Sequence, residues 1–334
     1  MRVRSGVLAL LALSLAACPP AKTTSPSAGG TSAGTVDPDR CGDLSATDVG
    51  RKLHAFLVST TELDRQVTEI EQTLRAACKT MGSELQMDAA ALDGPTKDLC
   101  GNVFAMLKTD LQAGLNATPM VVHYTPGQCT VDADAAAHVA AQCEAQAAGT
   151  ATVTCEGTCT GTCRGTCNGT CSATGPNGEC NGRCNGTCEG SCTGGCTGAA
   201  DVHASAECKA EAEVHATLTM QCTDPQVNVT LPQVGVVDAA KANLALEAMR
   251  KGLPKMLWVA ARAKPLAHAA ETWFTAAREL GDSGEQIASQ FADRAICVGG
   301  QIAAAVAMIA NIQASFQVSV EISVQAQATV GASG

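Results

Sequence analysis

The sequence predicts an α+β protein: a helical bundle interrupted by a long, disulfide-laddered antiparallel β-hairpin, with a β-strand at the C-terminus. Three observations predict it. Apolar residues recur at heptad spacing through residues 49–81, cysteines mirror one another about a single turn between 129 and 222, and polar and apolar residues alternate through the last twenty positions. The expected segments are a signal peptide over 1–17, a tether over 18–40 and N-terminal helices over 41–118. A Cys-rich hairpin arm over 119–237, C-terminal helices over 238–314 and a strand with its tail over 315–334 complete the chain.

Met1-Arg2-Val3-Arg4 places two positive charges ahead of an apolar run from Val7 to Leu15. That is the layout of a secretory signal, too short to span a bilayer as a mature helix. It ends in Leu15-Ala16-Ala17-Cys18, which resembles the lipobox of bacterial lipoproteins. The resemblance covers roughly twenty residues. It implies that Cys18 carries acyl chains such as palmitate, that the preceding peptide is removed, and that the mature chain is anchored to a membrane. Pro19 stands where Asp favours inner-membrane retention, which implies the outer membrane. Residues 18–40 have no apolar period and read as a flexible tether, with the folded part beginning near Cys41.

Exported chains meet an oxidising compartment, so cysteine parity is informative. Setting Cys18 aside leaves 18 of the 19 cysteines, an even number. Between Cys155 and Cys196 the chain repeats Cys-x-Gly-x, with Cys155, Cys159, Cys163, Cys167 and Cys171 on one arm and Cys180, Cys184, Cys188, Cys192 and Cys196 on the other. Glycine in every unit argues against a helix. Ser172 to Glu179, with Gly175, Pro176, Asn177 and Gly178, is turn chemistry. Folding there pairs Cys171 with Cys180, Cys167 with Cys184, Cys163 with Cys188, Cys159 with Cys192 and Cys155 with Cys196. Every pair of residue numbers adds to 351. Two pairs outside the repeat obey the same rule, Cys143 with Cys208 and Cys129 with Cys222.

The flanks alternate in the same register. Val131, Ala133, Ala135, Ala137, Val139 and Ala141 face Val202, Ala204, Ala206, Ala210, Ala212, Val214 and Ala216, which predicts strands over 129–147 and 204–222. The expected result is one ribbon with seven nested bridges, each arm on the order of 150 Å if fully extended. A two-stranded hairpin is marginal in water, but each further bridge closes a circuit of about eight residues and contributes roughly 2.5 kcal/mol. Phe316, Val318, Val320, Ile322, Val324 and Val330 alternate with polar residues and predict a third strand over the ribbon's base, while short extended pieces at 120–124 and 227–237 extend the sheet.

Val49, Leu53, Phe56, Thr60, Leu63, Val67, Ile70, Leu74, Ala77 and Met81 form an unbroken heptad seam. Thr96–Leu115 is expected to pair with it. Further helices are expected over 238–251, over 254–280 with a bend at Pro265, and over 283–313, the last opened by the capping box Ser283-Gly284-Glu285-Gln286. Four cysteines lie outside the ribbon and spacing leaves three connectivities open; the pairing adopted is Cys78 with Cys100 and Cys41 with Cys297.

Net charge of −10 argues against nucleic acid as a partner. Six histidines, at 54, 123, 138, 203, 215 and 268, show no partner pattern, and no nucleophile elbow or phosphate loop appears. The expectation is a non-enzymatic surface lipoprotein without cofactor, acting through its arm on a surface protein or glycan. Thr158, Thr160, Thr162, Thr166, Thr170, Asn181, Asn185 and Thr187 are its candidate contact positions. Two alternatives are weighed beside it. The apolar stretch 295–312 raises membrane insertion in the manner of helical pore-forming proteins, and cysteine density raises metal binding, against which stand the uniform spacing and oxidised sulfurs.

Overall fold

The protein begins its bundle with α1, Asp48–Glu84, whose N-terminus is capped by Thr47 Oγ1 accepting the Gly50 N–H at 3.0 Å. The computed structural model describes residues 35–115, 120–145, 151–155 and 157–332. Along α1 the heptad positions Leu53, Phe56, Leu63, Val67, Ile70, Leu74, Ala77 and Met81 are all buried. Helix α2, Thr96–Leu115, packs beside it and is tied to it by Cys78–Cys100. The central helix is α5, Ala239–Ser289, against which α1, α2 and the later helices lie. Trp273 of α5 is fully buried, stacks on Phe56 at 5.8 Å and donates its indole N–H to Thr60 Oγ1 at 2.9 Å. The polar end of the indole is thereby satisfied inside the core.

Several expectations are corrected. Residues 239–289 form one helix that runs through Pro254 and Pro265, and Ser283-Gly284-Glu285-Gln286 lies inside it instead of opening a new one. The break comes at Ala292, whose φ is 47°, and α6 follows as Ala295–Ala332. The predicted C-terminal strand is therefore the second half of α6. Ser319, Ile322, Ser323 and Ala326 are its buried positions, at steps of three and four, and Lys97 pairs with Glu321 at 2.9 Å. A running helix extends without a new nucleation cost. The tether is also shorter than expected: Val36 is buried and the Asp37 N–H donates to the buried Gln301 Oε1 at 2.8 Å, beside the Cys41–Cys297 bond to α6.

The predicted strands at the arm's base are helices, α3 at Ala133–Cys143 and α4 at Ala206–Leu218. Alanine is the best helix former, and so small a side chain at alternate positions does not distinguish a strand face from a helix packed on several sides. Helix α4 is packed in that way. Ala210 and Val214 join the bundle core, whereas Ala212 and Ala216 join the second core beneath the arm. Cys143–Cys208 is thus a staple between two helices. Strands β1, Val121–Thr125, and β11, Gln226–Thr230, pair with each other in a small separate sheet.

The remaining strands are β2 (Cys129–Asp132), β3 (Thr152–Cys155), β4 (Thr158–Cys159), β5 (Thr162–Cys171), β6 (Cys180–Gly182), β7 (Cys184–Thr193), β8 (Gly195–Thr197), β9 (Ala200–His203) and β10 (Gln221–Cys222). At the base, Cys129 lies opposite Cys222, in the expected register. In the arm the backbone register is shifted by four: Cys163 lies opposite Cys192 and Cys167 opposite Cys188. Thr154, Thr158, Cys163, Arg164 and Gly165 of the outgoing arm also have a second partner on the other edge. Cys163 pairs with Gly182 as well as Cys192, and Thr158 pairs with both Thr187 and Thr197. The two partners are ten positions apart, so the hairpin is wound into a coil in which each turn hydrogen-bonds to the next.

Coiling resolves the instability of a lone ribbon, because it pairs edges that a flat hairpin leaves open. Glycine makes the winding possible. Gly165 and Gly190 lie opposite each other at φ of 144° and 143°, where a Cβ would sit 2.4 Å from the Glu189 carbonyl and 2.3 Å from the Arg164 carbonyl. The arm is correspondingly short: ten extended residues cover roughly 33 Å, whereas one turn advances by two strand spacings, roughly 10 Å.

Candidate functional site

The arm's interior is sulfur. Cys155–Cys196, Cys159–Cys192, Cys163–Cys188, Cys167–Cys184 and Cys171–Cys180 are bonded with Cα separations of 5.6 to 5.8 Å, and seven of the ten sulfurs belong to side chains fully shielded from solvent along the coil's axis, with Cys192 nearly so. With Cys129–Cys222, Cys143–Cys208, Cys78–Cys100 and Cys41–Cys297, all nine pairs present are those the sequence pairs. Cys18 lies outside the described residues.

With the cysteines inward, the residues next to them face out. The shifted register aligns Thr130, Thr197, Thr158, Thr187 and Asn168 across five successive strands, each directly opposite the next. Side chains so placed share one face at the strand spacing of about 4.8 Å. Thr158 and Thr187 are among the positions the sequence singles out, whereas Thr130 and Thr197 are not, because only the shifted register brings them into the row. The other sequence candidates divide. Thr166 lies opposite Glu189, Thr170 opposite Asn185 and Asn181 opposite Arg164, all exposed. Thr160 is consumed structurally, since its hydroxyl donates to the Gly195 carbonyl at 3.0 Å and accepts the Gly195 N–H at 3.1 Å. Thr162 pairs with Thr193. Between Cys155 and Cys196 stand only Arg164, Arg183, Glu156, Glu179 and Glu189 as charges, so this surface is hydroxyl-rich and nearly neutral on an acidic protein.

No protein-family model, curated protein or solved structure matches this chain. Function is therefore argued from its own geometry.

At the arm's base a buried polar joint holds β9, α4 and α5 together. Glu213 Oε1 accepts the Val202 N–H at 3.1 Å, and Oε2 accepts the Thr272 hydroxyl at 2.6 Å. His268 Nε2 stands 3.5 Å from Glu213. Asp201, Glu213 and His268 each offer a ligand atom within 4.8 Å of the others. The Lys209 ammonium is already among them, 2.6 Å from Asp201 and 3.8 Å from Glu213, so the cationic place is filled by the chain itself. Sequence reasoning missed this joint because it set Glu213 on the polar side of a strand; the Lys209/Glu213 spacing of four was the available signal.

A cleft of about 330 Å³ between α1, α3 and α4 is lined by Arg51, His54, Glu62, Gln142, Glu211 and His215. Burial, helped by the neighbouring Glu62 charge, pushes the Glu211 carboxyl up to about 7. Burial also raises Glu62, against the attraction of His215 and Arg65. Elsewhere His203 Nε2 meets Thr154 Oγ1 at 2.9 Å and His54 meets Asp39 at 3.3 Å. His54 and His215 thus line the same cleft, whereas His203 and His268 stand at the arm's base.

Proposed function

We propose that this chain is a lipid-anchored outer-membrane protein without catalytic activity that uses its disulfide-locked arm as a projecting, adhesive or structural element toward a surface protein or glycan. The observation that carries the reading is the row Thr130, Thr197, Thr158, Thr187 and Asn168 on a coil held by five internal disulfides. A covalently rigid surface loses little conformational freedom when it binds, and evenly spaced hydroxyls suit a partner that itself repeats. The lipobox-like Leu15-Ala16-Ala17-Cys18 supports the anchor, with Cys18 as the acylated residue. Deletion of residues 156–195 is expected to abolish surface attachment and co-purification of partners while the remaining chain stays in the membrane fraction. Retention of every contact by the deletion variant would overturn the reading.

One observation favours a second reading, insertion of a helix into the bilayer. The stretch Ala292–Ala328 is long and apolar enough to cross a membrane, and only a third of its most apolar window is buried, with Ile296 92% exposed. Its alanine content, Gln301 and Asn311 weigh against a spanning helix. Dye release from liposomes on addition of the protein would favour this reading over the arm.

A further inference from the structure

Beside the foot of the arm, α1 and α5 leave a groove between them in which two clefts, of about 560 and 310 Å³, meet at Trp258. Such volumes lie in the range of sites for small ligands. Lys255, Trp258 and Arg262 follow one another at helical spacing along α5. Arg65, Glu69 and Thr73 do the same along α1, and Asp224 closes one end. The chain has two tryptophans; Trp273 is sealed in the core, and Trp258 is the half-buried one that reaches solvent.

Of the three cations in the groove, Arg65 pairs with Glu69, whereas Arg262 and Lys255 have no such partner among the described residues. The Arg262 guanidinium lies 4.6 Å from the centre of the Trp258 ring, and its Nε is buried without a hydrogen-bond partner. Among the described residues neither Arg262 nor Lys255 has a carboxylate within ion-pair distance. Glu69, the nearest acid to act on Arg262, is 4.0 Å from Arg65. The guanidinium is thus short of acceptors, and a carboxylate on a ligand in the groove would meet its planar N–H fork. The Arg262 guanidinium covers one face of the half-buried indole, so a sugar ring would pack against the part of Trp258 that the groove leaves open, and Thr73 and Asp224 supply partners for hydroxyls. A polyanion such as nucleic acid is disfavoured by the chain's net charge of −10, whereas one carboxylate on a small ligand meets the two unpaired local cations, Arg262 and Lys255.

We propose that the Trp258 groove binds a saccharide that carries a carboxylate, with the sugar ring against the indole and the carboxylate held by Arg262 and Lys255. This site lies outside the disulfide-cored coil and does not depend on the arm's function.

The test is a fluorescence and calorimetric titration of the full, oxidised chain with a galacturonic-acid trisaccharide, its methyl ester, and an Asp/Glu tetrapeptide. Saturable binding of the free acid is expected, with perturbation of an emission component that Trp258→Phe removes. Esterification, which keeps the ring and removes the charge, is expected to weaken binding about tenfold or more. Arg262→Gln and the exposed-site variant Lys255→Gln are each expected to weaken it severalfold, with the thermal transition of Lys255→Gln unchanged. Equal affinity for acid and ester, no saturable heat with the acid, or tighter binding of the acidic peptide than of the saccharide would each overturn the proposal.

Discussion

Glu211 illustrates how one side chain's surroundings set its chemistry. It stands in the cleft beside Glu62, His215 and His54, and burial holds its carboxyl near 7 instead of 4.5. The folded state therefore binds this proton more tightly than the unfolded chain does. Its favourable contribution is complete below about pH 4.5 and is lost as pH rises toward 7. Glu211→Gln is expected to raise stability at pH 8 by on the order of 2 kcal/mol and to leave it unchanged at pH 4. Denaturant titrations at the two pH values check this, and an equal effect at both would refute the assignment. At the same scale, the Thr60 hydroxyl accepts the Trp273 indole N–H and donates to the Phe56 carbonyl, so the heptad threonine is a hydrogen-bond partner as well as a packing residue.

Among the elements, the arm depends on glycines that admit a backbone conformation closed to other residues. Gly190→Ala places a methyl group 2.3 Å from the Arg164 carbonyl at a φ of 143°. Forcing an L-residue into that region costs on the order of 1–3 kcal/mol before the clash is counted. The expected outcome is failure of the coil to close, read as loss of the Cys163–Cys188 and Cys159–Cys192 peptides in a non-reducing digest. Thr193→Ala, on an exposed neighbour, should leave the digest unchanged. Helix α1 was legible because nine apolar positions and Thr60 kept a single period. The alanine segments of α3 and α4 were not, because their packing on several sides is invisible to a one-dimensional alternation.

For the molecule as a whole, the bundle and the arm are joined by α4, whose opposite faces belong to different cores, and by the Cys143–Cys208 staple. With its neighbouring bridges closed, this bond shuts a circuit of roughly 25 residues, worth about 3 kcal/mol by chain entropy. Cys143→Ser/Cys208→Ser is expected to lower the stability of the bundle by about that amount, with the five arm bridges still formed. A calorimetric scan beside a non-reducing peptide map separates this from collapse of the arm; unchanged stability would show that the staple does not couple the two cores.

Sequence by itself determined the seven nested sulfur pairings and the long first helix, whereas Cys41, Cys78, Cys100 and Cys297 kept three connectivities open until the fold brought them together. Nested symmetry about one turn, together with parity, leaves a covalent pattern little freedom, and a heptad over thirty residues admits one period. Only the tertiary structure decided that the arm is a coil with its register moved by four, and that three alternating segments are helices. Hydrogen bonds between successive turns and burial on opposite faces are relations between residues distant along the chain. The Thr130 row and the Trp258 groove exist only once those relations are formed.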